Sequence, residues 1–102
     1  MNKELLRYID PFKELCKKHR LEKVYLFGSQ ATENYSEDSD IDLLIKFSDK
    51  IDVIDYADYY FNFLEDVENL FNKKVDLVSE KSLSNKYFID EINRTKLSLY
   101  ES

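Results

Sequence analysis

Three short apolar segments, separated by longer amphipathic ones, limit the folds open to this chain. Residues 23–27, 40–47 and 74–78 have the length and the Val, Ile, Tyr and Phe content of buried strands. A single Gly and a single Pro among 102 residues leave little room for irregular structure between them. Strands that alternate with helices indicate an α/β (α+β) fold, in which helices pack on a small mixed β-sheet. We predict one domain over residues 1–102.

Apolar residues also recur at helical spacing near both ends of the chain. They predict a first helix over residues 3–19, within which Pro11 either kinks the helix or starts a new one capped by Asp10. Residues 83–92 have a similar helical pattern, and residues 97–100 form a last short strand.

The longest amphipathic segment, residues 51–72, predicts a helix with an unusually wide apolar surface. Its predicted core-facing stripe consists of Val53, Ile54, Ala57, Tyr60, Phe61, Leu64, Val67 and Phe71. Tyr56, Tyr59 and Phe63 lie beside that stripe. The helix therefore either packs on two sides within the monomer or presents part of its aromatic surface to a partner.

Charge and cysteine content exclude several functional classes. The chain has 21 acidic and 15 basic residues and a net charge of −6. Because nucleic-acid binding requires clustered cations that neutralise phosphates, we expect no direct DNA binding. Cys16 is the sole cysteine, so no internal disulfide can form. We find neither an apolar signal region nor a stretch of the ~20 apolar residues that a membrane span needs, and we expect a cytoplasmic protein.

Carboxylates occur in two of the predicted strands. Asp40 and Asp42 open the second strand and project from one face, with Cα atoms about 6.6 Å apart. Asp76, inside the third strand, could supply a third carboxylate. Like charges at ~4 Å repel by about 4 kcal/mol at an effective dielectric of ~20, so converging carboxylates favour a divalent cation. Hard oxygen ligands suit Mg²⁺ or Mn²⁺, and we predict two ions about 3.5–4 Å apart.

The alternation within the second strand assigns its side chains to two faces. Ile41, Leu43, Ile45 and Phe47 share one face, and Asp40, Asp42, Leu44 and Lys46 share the other. Lys46 therefore either contacts phosphate or offsets the charge of the carboxylates.

Gly28 and Ser29, directly after the first strand, have the features of a phosphate-binding turn. Glycine lets the backbone approach a ligand closely. Backbone N–H groups and the Ser29 hydroxyl can donate hydrogen bonds to phosphate oxygens. We predict that Gly28 and Ser29 bind the phosphates of a nucleotide.

Residues 26–29 (Leu-Phe-Gly-Ser) and 39–45 (Ser-Asp-Ile-Asp-Leu-Leu-Ile) resemble the motifs of the minimal nucleotidyltransferases (MNT) of the DNA polymerase beta superfamily. The resemblance covers nearly the whole chain. It implies that Gly28 and Ser29 hold ATP, and that Asp40, Asp42 and Asp76 are the metal ligands and catalytic carboxylates. The implied reaction transfers AMP from ATP to a hydroxyl group. In the antitoxins of this family that acceptor is a tyrosine of a HEPN ribonuclease toxin.

The sequence departs from the family pattern just after the Gly-Ser turn. The family commonly has Ala-Arg-Gly or Ala-Lys-Gly there, whereas this chain has Ala31, Thr32 and Glu33. Two readings beside the adenylyltransferase therefore stay open: an antitoxin with little or no catalysis that neutralises its partner by binding, and a transferase acting on a small molecule. Assembly of the chain with itself or with a partner is also open.

Overall fold

A four-stranded mixed sheet lies at the centre of the computed structural model, which describes residues 3–31 and 40–102. The strands are β1 (Leu21–Phe27), β2 (Ile41–Phe47), β3 (Val75–Ser79) and β4 (Leu97–Glu101). The helices are α1 (Lys3–Leu6), α2 (Ile9–Lys18), α3 (Val53–Phe71) and α4 (Lys86–Thr95), and short 3₁₀ turns span Gly28–Ala31 and Glu80–Ser82. The predicted α/β fold with a mixed sheet is confirmed.

The strand order in the sheet is β3-β2-β1-β4. β1 pairs antiparallel with both β2 and β4, whereas β2 and β3 are parallel. A parallel pair needs a crossover connection, which α3 provides between β2 and β3. Within the described ranges, no helix has the length and apolar character needed to cross a membrane.

The two faces of the sheet are covered by different helices. The larger core lies between the sheet and helices α2 and α3, and it takes in the β2 side chains predicted to face it: Ile41, Leu43, Ile45 and Phe47, each at most 4% exposed. On the opposite face, Ile92 of α4 packs with Phe27 and Leu44 in a smaller cluster. The predicted alternation of β2 is therefore confirmed, and Asp42 shares the α4 face with Leu44.

The first predicted helix is in fact two helices. α2 begins at Ile9 with Tyr8 as its N-cap residue, so the prediction of Asp10 as cap is wrong, and the chain restarts rather than kinks. Pro11 is the third residue of α2, and the first intrahelical bond runs from the Phe12 N–H to the Tyr8 carbonyl (2.9 Å). The first N–H groups of a helix have no intrahelical partner. Proline at this position therefore removes no intrahelical hydrogen bond.

The predicted core-facing stripe of α3 is wrong at its N-terminal half. Val53 and Ile54 are 92% and 91% exposed and Phe61 is 63% exposed, whereas Phe63 is fully buried. Apolar residues occupy most of the helix circumference, so periodicity alone did not select the buried face. Ring packing selects it: the Phe63 ring lies 6.3 Å from that of Phe12 and 6.5 Å from that of Phe47. Tyr56, Tyr59 and Tyr60 turn partly inward with it.

A buried histidine joins the end of α2 to α3. His19 is 7% exposed, its Nε2 lies 2.6 Å from Asp66 Oδ2, and its ring packs on Phe63. The hydrogen bond from His19 is the main cause that lowers the pKa of Asp66, with a smaller contribution from nearby Lys18. The ionised Asp66 therefore stabilises the fold above the ordinary aspartate pKa, and this stabilisation is lost as the pH falls through the lowered pKa of Asp66.

We expect Asp66→Asn to lower the free energy of unfolding at pH 7 by about 1 kcal/mol, because a charge-assisted hydrogen bond to a buried ring is replaced by a neutral one. Urea denaturation of wild type and variant measures the difference. Glu65→Gln is the matched control, since Glu65 is an exposed acid on the same helix. Equal destabilisation by the two substitutions would contradict the role given to the His19–Asp66 bond.

Candidate active site

The register of the sheet brings the predicted site residues to one end of its α4 face. Asp42 pairs with Asp76 across the parallel β2–β3 ladder and with Phe27 across the antiparallel β1–β2 ladder. Paired residues of adjacent strands project from the same face. Asp76, Asp42 and Phe27 therefore form a row across three strands, and Gly28 follows directly at the end of β1.

Gly28 touches the carboxylate of Asp42. A Cβ atom at Gly28 would lie only 2.5 Å from Asp42 Oδ2, and the Gly28 φ is +73°, in the left-handed region that favours glycine. The backbone then continues through Ser29 in the 3₁₀ turn Gly28–Ala31. The strand-to-turn connection therefore places backbone beside the Asp42 carboxylate, and phosphate binding by Gly28 and Ser29 stays a prediction. Thr32 and Glu33, the departure from the family motif, lie outside the described residues.

The electrostatics of Asp42 are those of a carboxylate crowded by others. Partial burial, followed by the negative charges of Asp76 and Asp40 and a hydrogen bond with Asp76, raises the pKa of Asp42 to about 6. Each of these effects disfavours the ionised form of Asp42. A divalent cation between the carboxylates would offset their mutual repulsion and favour the ionised form of Asp42. This set of oxygen donors therefore suits Mg²⁺ or Mn²⁺.

The three predicted metal ligands are not equally placed. Asp42 is half-buried, whereas Asp76 and Asp40, which immediately precedes β2, are exposed. Among the described residues, no three His, Cys, Asp or Glu side chains are arranged to hold a metal ion as they stand. The structure brings Asp42 and Asp76 together and places Asp40 at the entrance of β2, and the assignment of all three as ligands stays a prediction.

Lys46 lies at the opposite end of the α4 face from the Asp42 row. It is four residues along β2 from Asp42, about 13 Å at ~3.3 Å per residue. Its Nζ pairs with Glu22 Oε2 at 3.3 Å, and this hydrogen bond is the main cause that raises the pKa of Lys46. Lys46 therefore offsets the charge of Glu22, and neither of its two predicted roles at the carboxylates is supported.

Helix α4 forms an apolar wall beside the carboxylates that the sequence did not reveal. The ring of Phe88 packs edge-on against Phe27 at 5.9 Å, and Ile92 buries the next part of the same face. The Asn85 side chain caps α4 by accepting hydrogen bonds from the N–H groups of Tyr87 and Phe88. Apolar spacing indicated a helix here, but it did not say which face of the sheet the helix covers.

Known proteins resemble this chain in sequence. The sequence model of the family described as "Polymerase beta, Nucleotidyltransferase" matches residues 11–102. A protein of Methanocaldococcus jannaschii named "putative protein adenylyltransferase" is 34% identical over 88 residues, which are 83% of this chain and 81% of that protein.

Solved structures share the fold. A protein described as a "putative minimal nucleotidyltransferase" superposes with a TM-score of 0.72 at 32% identity, over 95% of each chain. A complex of a tri-AMPylated HEPN toxin from Shewanella oneidensis with its MNT antitoxin contains a chain that superposes with a TM-score of 0.65 at 21% identity. That match covers 97% of this chain and 73% of the other, and at this identity it shows the fold alone. Because the family model matches residues 11–102 and a relative is 34% identical over 83% of the chain, the chain belongs to the polymerase beta nucleotidyltransferase family, as the resemblance predicted.

Proposed function

We propose that this chain transfers AMP from ATP to a tyrosine hydroxyl of a HEPN-type toxin and acts as its antitoxin. The tyrosine oxygen forms a bond to the α-phosphorus as the bond between the α- and β-phosphates breaks, and pyrophosphate is released. The observation that carries the proposal is the in-register pairing of Asp42 with Asp76, next to a glycine whose backbone touches the Asp42 carboxylate. Nucleotidyl transfer needs both features at one place, because it brings a triphosphate to cation-binding carboxylates.

Asp42 and Asp76, with Asp40 at the rim, are the residues that would hold two Mg²⁺ or Mn²⁺ ions. Bound ions would supply charge neutralisation at the phosphates and activate the acceptor hydroxyl. The chain's own residues do the positioning. Gly28 leaves room for the Asp42 carboxylate at the turn, and the backbone N–H groups of Gly28 and Ser29 and the Ser29 hydroxyl are the proposed donors to phosphate oxygens. Phe88 packs against Phe27, the β1 neighbour of Asp42, and so forms an apolar wall at one end of the carboxylate row.

A protein acceptor is supported by the relatives rather than by the site alone. The Methanocaldococcus jannaschii relative is named as a protein adenylyltransferase. The Shewanella oneidensis complex pairs a chain of this fold with a toxin that carries three AMP groups. We therefore propose a side-chain hydroxyl of a toxin partner as the acceptor for this chain, and the resemblance to the MNT antitoxins implies that it is a tyrosine.

A second candidate function is a binding antitoxin with weak or absent catalysis. Thr32 and Glu33 favour it, because the basic residue and the glycine of the family pattern are replaced by a neutral and an acidic residue. Negative charge near a triphosphate site disfavours nucleotide binding. This candidate predicts that a protein lacking the carboxylates still neutralises its partner.

Intact-mass spectrometry distinguishes the two candidates. A HEPN-domain protein, co-expressed with this chain as its candidate partner, is incubated with ATP, Mg²⁺ and either the wild-type chain or its Asp42→Asn variant. We expect mass gains of whole AMP units with the wild type only, and their loss when the acceptor tyrosine is changed to phenylalanine. A stable complex without any mass gain would refute catalysis on this partner and leave the binding antitoxin.

A further inference from the structure

The exposed side of α3 carries an apolar stripe that the monomer does not cover. The stripe consists of Val53, Ile54, Ala57 and Phe61, which lie on neighbouring turns of the helix. Val53 and Ile54 are over 90% exposed and Phe61 is 63% exposed. Such a contiguous patch on the surface marks an interaction site more often than isolated apolar residues do.

An acidic ridge borders this stripe. Asp58 follows Ile54 by four residues and Glu65 follows Phe61 by four, so each acid lies one turn beyond an apolar residue of the stripe. The whole of α3 has five acidic residues and no basic one. Asp66 and Glu68 have internal partners, His19 and the Val75 N–H, while Asp55, Asp58 and Glu65 are exposed. The free charge of the helix is thus concentrated beside the stripe.

The other border of the stripe is a groove against the end of β3. This groove, of about 440 Å³, is lined by Ile51, Val53, Tyr56, Ala57, Ser79, Lys81 and Ser82. The Tyr56 hydroxyl donates a hydrogen bond to Ser79 Oγ (2.7 Å), which joins α3 to β3 there. Ser79 is three residues beyond Asp76, about 10 Å along the strand. Ser79 pairs with Ile45, at the end of the sheet away from the Asp42–Asp76 pair, so a partner seated on the stripe would contact the far end of the strand that carries Asp76.

We propose that the stripe is the docking surface for a basic amphipathic helix of the partner protein. The inference rests on the proposed function, and it names the surface that would hold the protein partner. Apolar residues at helical spacing pack against those of another helix, which fixes the shape of the occupant. The acidic ridge determines the charge that the partner helix needs. Lys or Arg residues flank the apolar row of that helix on the side that meets Asp58 and Glu65. A second copy of this chain is disfavoured, because its own ridge would add negative charge to the same surface.

The test measures the affinity of the HEPN-domain protein for this chain by isothermal titration calorimetry. We expect the double variant Ile54→Ser/Phe61→Ser to weaken binding at least tenfold, since exposed anchors dominate interface energy. We expect Asp58→Lys/Glu65→Lys to weaken it as well, with a smaller dependence of affinity on salt concentration. Leu6→Ser and Asp90→Lys are the matched controls, an exposed apolar residue and an exposed acid on other helices.

Two further readouts separate this inference from the proposed chemistry. Nucleotide binding to the isolated chain should be unchanged in the stripe variants, while AMP transfer to the partner falls with affinity. Asp42→Asn should retain the affinity and lose the transfer. Unchanged affinity in both double variants, or no complex with the wild type, would overturn the docking surface. Sedimentation that shows a wild-type dimer dissociated by the stripe substitutions would assign the surface to a second copy and overturn it too.

Discussion

Asp42→Asn should lower AMP transfer at least about 10³-fold and make the metal-free protein more stable at neutral pH. The loss of activity follows from the loss of the carboxylate that pairs with Asp76, because the charge stabilisation supplied by bound ions amounts to several kcal/mol. Initial rates of AMP incorporation into the partner measure this effect. Asp90→Asn, an exposed acid on α4, is the control and should keep its rate.

The gain in stability follows from the raised pKa of Asp42. Its folded-state pKa of about 6 exceeds the ordinary value of 3.8, so the folded state binds this proton more tightly than the unfolded chain. Ionisation therefore destabilises the fold progressively as the pH rises from 3.8 to about 6, and the penalty is complete above that range. Because Asp42 is only half-buried, we discount the shift for solvent screening and expect a gain of about 1 kcal/mol, a few degrees in Tm.

Thermal unfolding in the presence of a chelator, at pH 7.5 and at pH 4, tests whether Asp42→Asn raises or lowers the stability of the metal-free protein. The Asp42→Asn variant should have a higher Tm than the wild type at pH 7.5. The difference in Tm should be smaller at pH 4, where Asp42 is protonated in the folded protein. Added Mg²⁺ should raise the Tm of the wild type and leave that of the variant nearly unchanged. A variant that melts below the wild type in chelator at pH 7.5 would show that the carboxylates do not repel one another as described.

Gly28→Ala should lower AMP transfer about 100-fold or more with only a modest loss of stability. The new methyl group would lie 2.5 Å from Asp42 Oδ2, so the carboxylate must move. A displacement of about 1 Å at a reacting centre can reduce the rate ~10²-fold. The φ of +73° adds a backbone cost of about 1–2 kcal/mol for any residue with a Cβ. Transfer rates and urea denaturation, measured on the same preparation, separate the two effects.

Asn72→Ala is the matched control for the backbone strain. Asn72 ends α3 with a φ of 53°, in the same left-handed region, but it is not among the residues of the active site. Asn72 already has a Cβ, so alanine there loses only the better tolerance of asparagine for this region, and we expect a smaller loss of stability and an unchanged transfer rate. If Asn72→Ala lost transfer to the same extent, the effect of Gly28→Ala would come from instability and not from the displaced Asp42 carboxylate.

Local patterns in the sequence determined the strands and the composition of the site. The alternation along β2 correctly assigned Ile41 and Leu43 to the core, because successive side chains of a strand must point to opposite faces. The same rule placed Asp42 on the other face. The Gly-Ser turn and the Asp-x-Asp pair were also visible in the sequence, because their spacing is local, and they were sufficient to identify the family.

Tertiary structure decided what local spacing leaves open. The sequence placed Asp76 in a strand, but only the register of β2 on β3 sets it beside Asp42, since strand order and register depend on contacts between distant segments. The contact of Gly28 with Asp42 likewise arises only when β1 pairs with β2. For α3, apolar residues lie around most of the helix, so the sequence did not show which face is buried. Packing of Phe63 against the sheet leaves Val53, Ile54 and Phe61 facing outward. The sequence therefore specified the chemistry of the site, and long-range packing determined its geometry and the surface offered to a partner.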